Sequence, residues 1–555
     1  MNWAHLIVVP VILPLTAAAA MLLMGGGQRG KAVVSVLAAA AGLAVALALM
    51  ACTLRSPSPG AIGVYLPSNW EVPFGIVLAV DRLSALMLVL TGIVGLATLV
   101  YSTARWDKGG VHFHSLVQLQ LMGLNGAFLT ADIFNLFVFF EIALAASYAL
   151  LLHGSGRARV GAGLHYIAIN LLASSLFLIG VAVLYGITGT LNMADMAMKL
   201  PQVPAEDRGL LHAGAAILGI AFLAKAAMWP LNSWLTPAYA AASAPVAALF
   251  VLLTKLGIYA ALRTWSLLLS AEPAMPEVFG REALVYGGLA TLALGSLGML
   301  GVQQLRRLAG YAVIVSSGTL LAAIGFAYAP LAGAALFYLA VSTLGTAALF
   351  LLSELVERSR EGVATAPADF DDEDDAQPLY VDDPDRHAPR SPDDEVPVGR
   401  AIPGTMAYLG LSFVVCGLLI AGLPPFSGFL AKFAMIAALL DAGEAVLASA
   451  SWAFFGLTIG SGFLATIVLS RAGMRYFWAP QDRAAPAVRW IEGAPVGGLL
   501  LVAAAMAVFA QPVLAYTRAA ASGVFESTPY VEAILSAKPV PGPGRPGDSR
   551  EAPRR

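Results

Sequence analysis

The sequence predicts an all-α integral membrane protein that crosses the bilayer about fourteen times. Of its 555 residues, 59% are hydrophobic and only 12% are charged, whereas soluble domains carry about 25% charged residues. Apolar runs long enough to cross a bilayer, about 20 residues each, recur along the whole chain. The formal net charge of -2 argues against a nucleic-acid partner.

Two of the predicted spans are unusually long and contain prolines. Proline removes a backbone donor and clashes with the preceding helical turn. We therefore expect the span 211–240 to break at Pro230 and the span 404–441 to break at Pro424 and Pro425. The apolar segments are 5–24, 32–52, 77–101, 114–130, 132–152, 162–186, 211–240, 242–262, 283–302, 309–328, 331–354, 404–441, 450–470 and 495–516.

The two broken spans divide the chain. Paired discontinuous helices are typical of transporters built from inverted internal repeats, with the site near the bilayer midplane. We therefore predict N-terminal helices, a first repeat broken at Pro230, a second repeat broken at Pro424 and Pro425, a last helix and a disordered tail. Their ranges are 1–113, 114–262, 283–470, 495–516 and 517–555.

Residues 361–400 lie within the second repeat and differ from the rest of the chain. They are rich in aspartate and proline and poor in large apolar residues, which predicts a solvated, disordered cytoplasmic loop. Cation binding or partner docking is the alternative interpretation of this acidic segment.

Basic residues predict the orientation of the chain. They fall in loops that follow odd-numbered spans, and positively charged loops face the cytoplasm. Both termini would then lie on the periplasmic side. The residues concerned are Arg29, Lys31, Arg105, Lys108, Arg157, Arg159, Arg306, Arg307, Arg471, Arg475, Arg483 and Arg489.

Three lysines lie in apolar runs. Lys225 and Lys255 fall in the middle of spans, where a charge costs about 2.5 kcal/mol or more, and such residues usually mark an ion or proton route. Lys432 lies just past the second helix break. The alternative interpretation is a helix-end lysine that reaches the interface, and it is strongest for Lys432.

Acidic groups and a histidine complete the candidate set. Glu141 has apolar turns on both sides, and a buried carboxylate stays protonated unless a cation lies within ~4–6 Å. Lys225 is its natural partner. Asp81 is expected to pair with the adjacent Arg82, in a structural or a functional role. His165 titrates near neutrality, so it is either a proton entry group or a structural histidine.

Other classes of site have little support. Cys52 and Cys416 both lie in apolar runs, which excludes a disulfide framework and a thiolate metal site. We expect no metal and no cofactor. The sequence GGGQRGK at 25–31 matches part of a phosphate-binding loop, but Ala32 follows it and it joins two apolar helices where a strand would be needed.

Five segments in fixed order resemble a known family. The chain is similar to the antiporter-like subunits shared by Mrp-type monovalent cation/proton antiporters and respiratory complex I, most closely to the branch of the Mrp D subunits (Pha or Mnh). The segments are NWEVPFGIVLAVDRLSALML, FNLFVFFEIALAASY, FLAKAAMWPLNSWLTPAYAAASAPVAALFVLLTKLGIYAALR, LRRLAGYAVIVSSGTLLAAIGF and AGLPPFSGFLAKF.

The resemblance implies a chain of protonatable groups across the bilayer centre. Glu141 and Lys225 would form the ion pair of a first half-channel, Lys255 the central relay, and Lys432 the end of a second half-channel. Relatives often carry a histidine or lysine between the last two lysines. Here hydroxyl groups would have to make that link, and the candidates are Ser316, Tyr338, Ser342, Thr343 and Thr346.

The resemblance also implies a function and partners. The protein would be a proton- or cation-translocating subunit of a multi-subunit Na+(K+)/H+ antiporter in the bacterial inner membrane, in contact with lipid and with the other Mrp subunits. A proton-pumping subunit of a complex I-type NADH:quinone oxidoreductase is the alternative, and a scaffold that only inherited the fold is a third interpretation. The sequence favours a secondary transporter over an enzyme, because it has no flavin, iron–sulfur or quinone signature.

Overall fold

The computed structural model describes residues 3–25, 27–55, 62–154, 156–269, 280–361, 403–442, 448–478 and 488–540. The described part of the chain is almost entirely helical. Its α-helices are α1 (Val9–Leu23), α2 (Gln28–Arg55), α3 (Arg82–Ser102), α4 (Phe113–Leu129), α5 (Ile133–Leu151), α6 (Arg157–Thr188), α7 (Met193–Lys199), α8 (Arg208–Lys225), α9 (Leu235–Ala241), α10 (Ala244–Leu269), α11 (Arg281–Leu300), α12 (Leu305–Gly325), α13 (Ala329–Glu361), α14 (Gly404–Ala421), α15 (Ser427–Asp441), α16 (Ala448–Gly473), α17 (Trp490–Val508), α18 (Ala510–Phe525) and α19 (Thr528–Leu535).

Short elements supplement these helices. Strands β1 (Gly63–Tyr65) and β2 (Leu78–Val80) pair antiparallel between α2 and α3, with Val64 opposite Ala79. A π-helical turn follows α16, and 3-10 turns precede α1 and α4 and follow α7. Their bounds are Met474–Trp478, Trp3–Ile7, Trp106–Gly109 and Leu200–Gln202.

The predicted all-α membrane architecture is confirmed. Within the described residues, 12 helices are long and apolar enough to cross a membrane. The two remaining predicted spans correspond to α1 and α4, which have 15 and 17 residues. Every predicted apolar segment therefore contains a helix. The inverted relation between the two repeats stays a prediction.

Both proline-containing spans are broken. The first stops at Lys225, the last residue of α8, and resumes at Leu235, with Pro230 in the gap. The second stops at Ala421 and resumes at Ser427, with Pro424 and Pro425 between. Each break leaves the carbonyl end of one helix without its intrahelical partners. It also places a lysine next to irregular backbone.

Helices α10, α12 and α13 form the centre of the molecule. The apolar stretches of α10 and α13 are buried along their whole length, and that of α12 is 94% buried. The outer helices expose large apolar side chains, as expected for surfaces in contact with lipid or other membrane proteins. A lysine on α10 is therefore remote from solvent on every side.

The C-terminal part of the chain corrects two expectations. The predicted last helix 495–516 is divided, because α17 ends at Val508 and α18 begins at Ala510. In a continuous helix the ring of Pro512 would clash with the carbonyl of Val508, four residues earlier. The helix therefore ends at Val508. Residues 517–525 and 528–535, expected to be disordered, belong to α18 and α19. Buried side chains, among them Val524, Tyr530 and Ile534, attach them to the bundle.

The acidic segment 361–400 lies outside the described residues, apart from its first residue at the end of α13. Its predicted disorder stays a prediction. The same holds for the tail beyond residue 540.

Candidate functional site

Glu141 and Lys225 come together through a serine. The Ser174 hydroxyl on α6 donates to Glu141 Oε1 on α5, and Lys225 Nζ donates to the same hydroxyl at 3.2 Å. The resemblance implies a direct ion pair, and the structure differs, because Ser174 lies between the two charges. The amine also lies 5.3 Å from the centre of the Phe140 ring. Glu141, Ser174 and Lys225 thus form a single hydrogen-bonded unit.

Lys255 lies on the neighbouring helix, close to the break that follows Lys225. At Gly257, α10 approaches this break so closely that an added Cβ would meet Ala226 N at 2.6 Å and the Lys225 carbonyl carbon at 2.9 Å. Glycine is what allows this contact. In the described part of the chain, the two lysines share no hydrogen-bond partner. Lys225 and Lys255 are neighbours because the backbone of α10 at Gly257 packs against the backbone at the end of α8.

Lys255 has its own hydroxyl chain. Its amine donates to the Ser316 hydroxyl on α12, which in turn donates to Ser342 Oγ on α13 at 2.8 Å. Lys255 is 1% exposed and forms no ion pair among the described residues. Two of the hydroxyl candidates, Ser316 and Ser342, thus begin a path from Lys255 towards α13.

The other hydroxyl candidates lie on α13 and are also buried. Thr343 donates to Leu339 O and Thr346 donates to Ser342 O, both at 2.6 Å. Tyr338 is buried on the same helix. Because each threonine hydrogen is held by its own helix, the threonines offer only lone pairs to a neighbour.

Lys432 faces the second helix break. Its amine donates to Ala421 O, the last carbonyl of α14, at 2.9 Å. A cation is stabilised at a helix C-terminus, where carbonyl oxygens lack intrahelical partners. Gly422 adopts a φ of +76°, and an added Cβ there would meet Lys432 Cδ at 2.6 Å. The lysine is therefore held at the break, and its amine does not extend along the helix to the interface.

Asp81 belongs to a different cluster from the one expected. Its carboxylate caps α3 by accepting from Ser84 N at 2.8 Å and binds Arg263 at 2.7 Å. The expected pairing with Arg82 is wrong, because adjacent residues at a helix start point in different directions. Arg263 also lies 4.9 Å from the centre of the Tyr530 ring. The cluster joins α3, α10 and α19.

His165 lies at the surface of α6, away from the buried lysines. It is exposed, and its Nε2 lies 3.4 Å from Ser233 Oγ in the first helix break. The contact connects His165 to the irregular backbone after Lys225.

Sequence reasoning missed Ser174 and Arg263. Ser174 and Ser175 interrupt the apolar run of α6, and this polar pair was the available signal. Arg263 closes the run that contains Lys255 and was treated only as its end. Within the described residues, no group of three or more His, Cys, Asp or Glu side chains is placed to hold a metal ion.

Comparison with known proteins places the chain in a family. Residues 130–370 match the family model described as NADH:quinone oxidoreductase/Mrp antiporter, TM. The D subunit of a probable K(+)/H(+) antiporter of Rhizobium meliloti (strain 1021) is 48% identical over 548 residues, which cover 96% of this chain and 98% of that protein. The chain belongs to the family of Mrp-type antiporter D subunits.

Further relatives agree with this assignment. The D subunit of the Na(+)/H(+) antiporter of Alkalihalophilus pseudofirmus is 31% identical over 96% of this chain and 99% of its own length. A chain of the Mrp complex from Dietzia sp. DQ12-45-1b has a TM-score of 0.79 and 25% identity, covering 97% of this chain and all 100% of the other. Respiratory complex I from Thermus thermophilus has a chain of the same fold, with a TM-score of 0.72 at 21% identity.

Proposed function

We propose that this Mrp-type protein moves protons across the membrane as part of a multi-subunit K+(Na+)/H+ antiporter. The main support for this proposal is the set of three buried lysines, Lys225, Lys255 and Lys432, each of which is held by a hydroxyl group or at a helix break. The printed names of the two antiporter relatives, one for K(+)/H(+) and one for Na(+)/H(+), support the same function.

The proposed mechanism is electrostatic. Lysine loses and regains its proton readily when buried, and Lys225, Ser174 and Glu141 share hydrogen bonds. When the contact between Lys225 and Glu141 loosens, Lys225 loses its counter-charge and passes its proton on towards Lys255. Coulomb coupling between unit charges about 4 Å apart is worth about 4 kcal/mol at an effective dielectric of 20. No covalent chemistry is required.

The second part of the route starts at Lys255. Ser316 accepts from the Lys255 amine and donates to Ser342, whose own hydrogen is bound to Leu339 O of α13. Ser342 can therefore take a proton from Lys255 through Ser316 and pass its own on when the bond to Leu339 O opens. From there to Lys432, the buried hydroxyls of α13 and ordered water would complete the path. We assign Lys432 the terminal position because it faces the carbonyl end of α14.

The position of Glu141 supports a multi-subunit assembly. Glu141 is only half-buried, and Phe134 and Val138 on the same helix are 45% and 36% exposed. A carboxylate next to lipid is costly. We infer that a neighbouring subunit covers this face of α5.

Complex I membership is the second candidate. The N subunit of the NADH-quinone oxidoreductase of Desulforudis audaxviator is 31% identical over 84% of this chain. The higher identity and coverage of the Rhizobium meliloti antiporter relative favour the antiporter.

We also propose an inner-membrane location with both termini on the periplasmic side. The basic loops meet at one end of the bundle, where Arg489 donates to Ala104 O and Arg306 donates to Ala242 O. Positively charged loops face the cytoplasm.

The decisive experiment uses everted membrane vesicles that contain the chain with all its partner subunits, in cells without other antiporters. A respiration-generated pH gradient should collapse on addition of K+ or Na+ and persist on addition of choline. A gradient unaffected by either metal cation would contradict the antiporter. Proton pumping that requires this subunit and NADH oxidation by its own complex would favour the alternative.

A further inference from the structure

The short helix α9 forms hydrogen bonds to both of the helices that carry Lys225 and Lys255. It follows the first break, and Trp234 is the residue at its N-terminal cap. Trp234 is 2% exposed, and Tyr239 within the helix is 0% exposed. A buried tryptophan or tyrosine needs a partner for its polar atom. The partners found by these two side chains lie next to the two lysines.

Trp234 bridges the first helix break. Its indole Nε1 donates to Ala224 O at 3.2 Å, and Ala224 immediately precedes Lys225 at the end of α8. The bond spans ten residues of chain, which include Pro230. It therefore fixes the end of α8, and with it the backbone of Lys225, relative to α9.

Tyr239 makes the corresponding contact with α10. Its hydroxyl donates to Phe250 O at 2.6 Å and lies 2.6 Å from Thr254 Oγ1. The single hydroxyl hydrogen of the tyrosine is used on the Phe250 carbonyl, so Thr254 is the donor in the second bond. Thr254 immediately precedes Lys255. Helix α9 is thus bound to the residue before each lysine.

The other end of α9 is held at the basic end of the bundle. Arg159 donates to Ala241 O at 3.1 Å, and Arg306 donates to Ala242 O at 3.3 Å. Cations bind favourably at a helix C-terminus, where carbonyl oxygens lack intrahelical partners. Because α9 is held at both ends, a displacement of one lysine-bearing helix is passed to the other.

The bonds of α9 contribute more to position than to stability. Ala224 O also accepts from Ala227 N at 3.1 Å, so it keeps a partner when the indole is removed. Without the Tyr239 hydroxyl, Thr254 can return its hydrogen to Phe250 O, four residues earlier in its own helix. Breaking either bond therefore leaves no buried acceptor unpaired. What is lost is the connection between α9 and one lysine-bearing helix.

We propose that α9 couples Lys225 to Lys255, with Trp234 and Tyr239 as positioning residues that hold the two lysines in the relative placement needed for proton transfer. The consequence for transport rests on the proposed function. The coupling itself is a property of the fold and is measurable without transport. Neither Trp234 nor Tyr239 carries a proton along the route.

The first test is a double-mutant cycle. Trp234→Phe and Tyr239→Phe keep an aromatic ring and remove only the hydrogen bonds. Each should lower the antiport rate per assembled complex about tenfold in everted vesicles with all partner subunits. The double variant should be no slower than the slower single variant, because α9 released at one end no longer couples the lysines. Independent effects would multiply to about a hundredfold loss.

Two variants serve as matched controls. Tyr101→Phe removes an equally buried bond from a tyrosine to a carbonyl, which joins Tyr101 on α3 to Leu351 O on α13 at 3.2 Å. Trp229→Phe alters a tryptophan of the same break that is 47% exposed. Both should transport at the parent rate. The melting temperatures of Trp234→Phe and Tyr239→Phe should be no lower than that of Tyr101→Phe.

The second readout is hydrogen exchange in the purified complex and needs no transport. The amides of Ala226, Ala227 and Met228 are bound to carbonyls at the end of α8. Tyr239→Phe should speed their exchange about tenfold, although the Tyr239 hydroxyl itself bonds only to α10. Tyr101→Phe should leave their exchange unchanged.

The outcomes separate the coupling from the antiport. Parent-like exchange in Tyr239→Phe, parent-like antiport in both single variants, or multiplied losses in the double variant would overturn the coupling by α9. If the parent shows no cation-dependent collapse of the pH gradient, but Tyr239→Phe speeds exchange at the break, the coupling stands and the proposed antiport fails.

Discussion

Ser174 accepts from one charged side chain and donates to another, which makes it the residue on which the first part of the route depends. Ser174→Ala removes both hydrogen bonds and leaves Glu141 and Lys225 without their link. A hydrogen bond to a charged group is worth about 1.5 kcal/mol or more, so we expect a fall in antiport rate of at least about tenfold. The measurement is the cation-dependent collapse of the pH gradient in everted vesicles.

Ser175 provides the matched control. It is the next residue on α6, is exposed, and donates only to Leu171 O of its own helix. Ser175→Ala should exchange ions at the parent rate. Equal rates in the two variants would mean that Ser174 does not couple Glu141 to Lys225.

Lys255 forms no ion pair among the described residues. Lys255→Ala should fold at least as well as the parent, because a costly buried amine has been removed, but it should lose antiport. Lys255→Arg should also be inactive, because arginine keeps its proton at any physiological pH. Both rates are measured in vesicles with equal amounts of complex. Parent-like antiport in Lys255→Arg would show that Lys255 supplies charge and relays no proton.

Asp81 and Arg263 are predicted to stabilise the fold. Asp81→Asn keeps a capping side chain on α3 but leaves Arg263 buried without its counter-charge, and breaking a buried pair costs about 3–5 kcal/mol. The melting temperature of the purified complex should fall. The double variant Asp81→Asn, Arg263→Met should recover much of the loss, because no unpaired charge remains. A single variant as stable as the parent would rule out this role.

The sequence predicts the lysines and misses their partners for a physical reason. A charge in an apolar run is visible without a structure, because the apolar residues on both sides of it in the sequence already place it in the membrane. A serine in such a run usually binds its own backbone, as Ser175 does, so the bridging role of Ser174 depends on how α5, α6 and α8 pack. The partner of Asp81 lies 182 residues away.

At the scale of the elements, the two breaks follow from proline, which is why the sequence predicts them. The close approach of α10 to the first break is a packing result that depends on Gly257. Gly257→Ala would place a Cβ 2.6 Å from Ala226 N, a backbone atom that cannot turn away. Such overpacking costs about 1–3 kcal/mol. We expect a lower melting temperature and reduced antiport, because Lys225 moves relative to Lys255.

Gly219 on α8 gives the corresponding control. An added Cβ there would meet no atom within 4 Å, and alanine is favoured over glycine inside a helix by about 1 kcal/mol. Gly219→Ala should leave the melting temperature unchanged or raise it. A Gly257→Ala complex as stable as Gly219→Ala would show that α10 and the break can separate without cost.

At the scale of the whole molecule, side chains far apart in sequence hold each end of the bundle together. At the basic end, Glu492 on α17 accepts from Arg358 on α13 at 2.8 Å, and Glu354 accepts from Trp106 at 2.8 Å. At the other end, Asn69 and the backbone of Val540 exchange two hydrogen bonds. The sequence predicts the charge difference between the ends, and it does not predict these contacts between distant segments.

The two ends allow a direct test of orientation. Val540 lies at the end opposite the basic loops and is 69% exposed, whereas Ser391 lies in the acidic segment between α13 and α14. In a background without Cys52 and Cys416, Val540→Cys in intact spheroplasts should react with a membrane-impermeant maleimide. Ser391→Cys should react only after the membrane is permeabilised, because the proposed orientation puts the positively charged loops and the C-terminal end of α13 on the cytoplasmic side. Labelling of Ser391→Cys in intact spheroplasts, with Val540→Cys protected, would invert the topology and would place the carboxylates and arginines around Glu492 on the periplasmic side.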